Sequence, residues 1–205
     1  MADAKFREMF ERDISKHQMQ VIRDDGVSRH IRFKRPDTIS MHFDLITWPG
    51  MLCYTGDMGT YVFRRLEDMF QFFRCKDCRD PGCMDLGYWA EKVEAQDRHG
   101  KVCDFSPENA RLSVDQTVHD FVEDNEVDPV AARKLREDID EIFGYSDDGE
   151  TVVRDMLHRI ECDGMCPFEN IWEWNFDAFT HRFVWCCYAI EWGIGVYDAA
   201  KEDAA

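Results

Sequence analysis

The sequence predicts an α+β fold, in which an N-terminal antiparallel β-meander of about five strands with flanking helices is followed by an acidic C-terminal helical bundle. Three observations point there. Every second residue is apolar in Ile39-Met41-Phe43-Leu45, the period of a strand with one face turned to a core. In Leu66, Met69, Phe70 and Phe73 the spacing changes to i, i+3, i+4, i+7, the period of a helix folding back on that sheet. Beyond residue 80, proline- and acid-marked helix starts succeed one another and strand alternation stops.

Taken in order, Phe6, Met9, Phe10 and Ile14 give a short amphipathic helix. Gln18–Arg23 and Ser28–Lys34 pair across Asp24-Asp25-Gly26, and Pro36 ends the second strand. The meander 39–63 turns first at Pro49-Gly50 and then at Gly56-Asp57-Met58-Gly59, residues that tolerate positive φ. The turn-rich RCKDCRDPGC, residues 74–83, marks a boundary, so residues 1–80 form the β-meander subdomain and 81–205 the acidic helical one, packed as one globular unit. Leu86 to Asp97 reads as a short helix with Trp89 and Val93 one turn apart. Ser106-Pro107-Glu108 and Asp128-Pro129 each combine an N-cap with proline at the first helical position, and Gly144 closes the second of these helices. Val153, Met156, Leu157 and Ile160 mark another, and a last helix over about 175–197 is apolar almost all round, hence buried in the helical part.

Composition excludes several classes. Hydrophobic residues at 44% and aromatics at 13% of 205 residues are too many for a disordered chain. The start, MADAKFREMFERD, has no apolar h-region, and the longest apolar run, Phe183 to Ile190, falls well short of the ~18 residues of a membrane span. Nine cysteines without an export signal point to reduced thiols in a cytosol, with Cys53, Cys186 and Cys187 as small buried hydrophobes. The net charge of −17 is unevenly placed: residues 1–80 hold 14 Lys/Arg against 13 Asp/Glu, residues 81–205 only 11 against 29.

ITWPG, followed by LCYTGDMGTYVF and then RLEDMFQFFR, resembles a segment of uncharacterised proteins of tailed bacteriophages and prophages, over roughly residues 15–100. The resemblance implies a phage origin and work in the host bacterial cytoplasm, and it carries no catalytic residue over to this chain.

Three constellations could carry chemistry. Cys75-x2-Cys78-x4-Cys83, with His99 and Cys103 further on, has metal-ligand spacing, and a structural zinc is the one cofactor it would hold; a cysteine-rich surface loop is the alternative. His42 and Asp44 fall on one face of a strand, with Asp57 nearby, a set able to support acid-base work or simply to be solvated. No glycine-rich phosphate loop, GxSxG elbow or HExxH helix occurs, so nothing demands an enzyme. The acidic helices are the most distinctive: Asp115, Asp120, Glu123, Asp124 and Glu126, then Glu137, Asp138, Asp140 and Glu141, then Asp147, Asp148, Glu150 and Asp155. Carboxylates spaced on rigid helices can imitate the phosphates of a duplex and occupy a cationic channel.

The expected function is therefore binding without catalysis. The partner would be a basic protein surface, that of a host nucleic-acid-binding defence complex of the CRISPR or restriction kind, with no direct contact to nucleic acid or membrane. Alternatives are a zinc-stabilised enzyme or nucleic-acid-processing accessory using His42, Asp44 and Asp57, and a structural phage protein that forms homo-oligomers.

Overall fold

Six strands, each antiparallel to its neighbour, form one sheet in sequence order: β1 Gln18–Asp25, β2 Ser28–Lys34, β3 Phe43–Trp48, β4 Met51–Gly56, β5 Gly59–Arg64 and β6 Val93–Gln96. The computed structural model describes residues 2–74, 84–146 and 149–204. Contacts divide the chain into two compact units, one of Met1–Val102 with Phe179–Ala205 and one of Cys103–Ala178. The division falls at 102 and 178 rather than at residue 80, so the acidic unit is inserted into the sheet-bearing one.

In the first unit, strand alternation decides which face is buried. Ile31, Phe33, Phe43, Leu45, Leu52, Tyr54, Tyr61 and Phe63 all lie on one side and are fully buried. The register is tight at the β3–β4 start, where Phe43 pairs with Gly56. A Cβ on Gly56 would stand 2.2 Å from the His42 carbonyl oxygen, so only glycine lets the backbones approach there. The buried face is covered by α1 (Ala2–Ile14), α2 (Met69–Phe73) and α7 (His181–Glu202). In α7 the run Phe183–Ile190 is buried, as its apolar circumference requires, yet it covers the sheet instead of lying among the acidic helices. Helix backbone meets sheet closely at Gly193, where an added Cβ would lie 3.0 Å from both Leu45 and Phe33. Trp185 meets Phe43 edge-on at 5.8 Å and Phe10 at 5.2 Å, tying α1, α7 and the sheet into one aromatic core.

Ion pairs fasten the far end of α7. Arg74 grips Asp198 through two 2.7 Å bonds, and Asp24 accepts from the Tyr197 hydroxyl at 2.9 Å and pairs with Lys201. The Lys201 bond outweighs partial burial and holds the Asp24 carboxyl below its ordinary range. Beneath them, buried Arg29 donates to both oxygens of Asp68, at 2.8 and 3.2 Å, and stacks on the Phe70 ring at 4.7 Å. Burial would raise Asp68, but the Arg29 bonds win and depress it.

The segment expected as one helix over 86–97 is in fact α3 (Leu86–Ala90) followed by β6, which pairs with β5 through Val62↔Ala95. Five residues of helix leave too little chain for periodicity to show where the backbone turns extended.

The second unit holds α4 (Pro107–Asp124), α5 (Pro129–Phe143), α6 (Glu150–His158) and a 3-10 turn at Ile171–Glu173; its two ends, β7 (Cys103–Phe105) and β8 (Asp177–Phe179), pair. The helix starts are as read from sequence: Ser106 accepts from the Asn109 amide at 3.1 Å and Asp128 from the Val130 amide at 2.8 Å. Val114, Val118, Leu135, Ile139, Val153, Leu157, Phe168 and Phe176 form a separate core. Buried Arg154 locks the 171–176 segment to α6. It donates to the carbonyls of Ile171 and, at 2.7 Å, Trp174, while Glu150 accepts from it at 2.6 and 2.8 Å and the Phe176 ring lies 4.4 Å away.

Candidate interaction surface

Of His42, Asp44 and Asp57 the structure brings His42 and Asp57 together and leaves Asp44 apart. Met41 has a φ of 61°, which breaks the alternation expected over 39–45, and the strand starts only at Phe43. His42 consequently turns to the β4–β5 hairpin, where Nδ1 lies 3.1 Å from Asp57 and 2.7 Å from the Ile39 carbonyl. Asp57 also accepts from the Met41 amide at 2.6 Å, so the pair pins the odd backbone turn. Asp44, expected on a solvated face beside His42, is only 6% exposed and sits between Arg32 and His30, each at 2.8 Å. Burial pushes Asp44 up, but those bonds outweigh it and keep the carboxyl below the ordinary range. This cross-strand cluster ties β2 to β3.

Of the thiols with metal-ligand spacing, Cys75, Cys78 and Cys83 lie outside the described residues. Among the described residues no three His, Cys, Asp or Glu side chains are grouped to hold a metal ion. His99 lends its backbone amide to Asp97 at 2.7 Å, and Asp97 also accepts from Thr60 at 2.6 Å. These amides overcome desolvation and lower the Asp97 carboxyl, fastening the turn after β6 to β5. Burial raises the Cys103 thiol.

The Cys103–Ala178 unit contains 21 Asp/Glu and 6 Lys/Arg, a formal charge of −15, against 21 and 19 in the other unit. Folding thus sharpens the lopsidedness seen in sequence. The structure brings Asp115 of α4 and Asp140 of α5 together on one guanidinium, Arg111, at 2.8 and 2.6 Å. Glu123 faces His119, Glu137 faces Arg133, Glu150 faces Arg154 and Asp155 faces Arg159, each one helical turn apart. Asp120 accepts from Gln116 at 2.8 Å. Asp124, Glu126 and Glu141 are exposed and Asp138 half-exposed, while Asp147 and Asp148 lie outside the described residues. Exposed pairs of this sort contribute roughly 0–1 kcal/mol and leave most of the field standing. In α5 the order of charge opposes the helix dipole, since Arg133, Lys134 and Arg136 precede Glu137, Asp138, Asp140 and Glu141.

Apolar side chains interrupt this acidic surface. Leu112 is 69% exposed and Trp172 51%, whereas Trp174 tucks against Phe168 and Phe176. A shallow groove lined by Pro107, Glu108, Arg111, Leu112, Phe143 and Ser146 opens between the start of α4 and the end of α5. Helical spacing carried the signal: Leu112 is two residues from both Ala110 and Val114, about 200° round the helix from the buried stripe. No helix among the described residues is long and apolar enough to cross a membrane. Compared with known proteins, the chain matches no family model, no curated protein and no solved structure.

Proposed function

We propose that this protein acts by binding, its acidic helical unit occupying a cationic, nucleic-acid-directed surface of a partner. The observation that carries the reading is the concentration of −15 of the chain's −17 charges in one 76-residue unit. Along α4, Asp115, Asp120, Glu123 and Asp124 are exposed within nine residue steps. At about 1.5 Å per residue that is one charge per roughly 4.5 Å, of the same order as the ~3.4 Å phosphate rise of one strand of a duplex. The charge order of α5 adds support, because acids gathered at a helix C-terminus weaken the helix and are there for another reason. The likeness of the central block to tailed-phage proteins makes a defence complex in the host cytoplasm, of the CRISPR or restriction kind, the natural partner.

The test is capture from a host extract on the immobilised full-length chain. A nucleic-acid-binding protein should be retained near 0.1 M salt and be released both by raising the salt severalfold and by excess duplex DNA. Retention indifferent to both treatments would overturn the mimicry.

A further inference from the structure

We infer that the groove between the start of α4 and the end of α5 is an anchor pocket, taking one aliphatic or aromatic side chain from a lysine- and arginine-rich segment of the partner. The inference deepens the reading above and rests on it.

Leu112 lies outside the α4 stripe of Ala110, Val114 and Val118 that builds the core, so its side chain is free to serve a surface. Phe143, half-buried at the end of α5, forms the opposite wall, and Pro107 adds a rigid apolar edge. Among the described residues the one cation in the lining, Arg111, is already committed. Its guanidinium pairs with Asp115 and Asp140 and lies 5.3 Å from the Phe143 ring centre, so it braces the wall with its charge already opposed by two carboxylates. Around the groove stand Glu108, Asp115 and Asp140 against that one arginine, an excess of two negative charges within a unit of −15. Apolar walls inside a negative rim fit a hydrophobic side chain flanked by cations. They exclude acidic and phosphorylated segments. Fixed on two capped helices, such a pocket would set the register that long-range charge attraction alone leaves loose.

The test uses the full-length chain and two short synthetic peptides of lysine and arginine, one with a central tryptophan and one with serine in its place. Affinities are read by fluorescence anisotropy. The tryptophan peptide is expected to bind roughly tenfold tighter. Leu112→Gln, which keeps helix propensity on an exposed position, should erase the preference without changing serine-peptide affinity; Leu112→Met should retain it. Asp120→Asn with Asp124→Asn should weaken both peptides alike and leave the preference intact. Equal, salt-dependent affinity for the two peptides, or a preference that survives Leu112→Gln, overturns the anchor while sparing the charge reading. Failure of both peptides to bind at low salt overturns the charge reading and the anchor with it.

Discussion

Replacing Arg154 by alanine should weaken the acidic unit far more than any of its surface charges suggests. The guanidinium holds two backbone carbonyls, that of Trp174 and that of fully buried Ile171, which otherwise accepts only a long 3.4 Å bond from the Trp174 amide. Hydrogen bonds to a charged donor contribute about 1.5–3 kcal/mol each. The Glu150 pair, with that carboxylate 37% exposed, adds less than about 1 kcal/mol. The lost stack on Phe176 adds about 1 kcal/mol more. A loss of at least about 4 kcal/mol follows from the lower end of these ranges, against roughly 4–11 kcal/mol for a unit of 76 residues at the usual stability per residue. Arg154→Lys should recover no more than about half, because an ammonium cannot reach both carbonyls with fixed geometry. Arg154→Met, which keeps the aliphatic stem, separates packing from hydrogen bonding. Hydrogen exchange read by mass spectrometry should show loss of protection in α6 and residues 171–176 first, with urea unfolding giving the magnitude. A change below about 1 kcal/mol, or unaltered exchange in those peptides, would refute the clamp.

Other expectations concern the sheet-bearing unit. Gly193→Val should cost about 2–3 kcal/mol by urea unfolding, since even the first carbon meets Leu45 and Phe33 at 3.0 Å; Gly193→Ala should fall near zero, its helix propensity offsetting the contact. Asp24, Asp44, Asp68 and Asp97 are all held below the ordinary carboxylate range. The folded chain therefore binds these protons more weakly than the unfolded one. Their stabilisation is complete above about pH 4 and disappears as pH falls through the lower folded values. Acid titration followed by circular dichroism should show the transition below about pH 4, and Asp68→Asn should flatten it. Burial raises the Cys186 and Cys187 thiols well above the ordinary range, so iodoacetamide should leave both unlabelled in the native protein and label them in urea, as mass mapping would show.

Local features were the legible ones. The β3–β4–β5 meander, the Ser106 and Asp128 caps and the apolar stripe of α5 all follow from neighbours within a few residues, and the structure has each in place. What misled was distance along the chain. An all-round apolar helix announces that it is buried but not against what, and α7 turned out to close a sheet whose last strand ends about 85 residues earlier. Val93 suited a helix until its pairing with Phe63 was known. At the site, acid content was plain from composition, but the sharing of Arg111 by Asp115 and Asp140 needs two helices side by side. The odd φ of Met41, which parts His42 from Asp44, has no signature in a residue type that rarely adopts it.

The return of α7 to the sheet sets a timetable for biosynthesis. Between the end of β5 at Arg64 and the end of α7 at Glu202 the ribosome must add about 140 residues, some 7–28 s of translation at ordinary speeds. Throughout that interval Phe33, Phe43, Leu45 and Tyr54 lack the share of their cover that α7 supplies, and a nascent sheet with an oily side is prone to stick to its neighbours. The inserted acidic segment emerges during the wait, and its −15 charge repels other nascent copies while the missing helix is still being made.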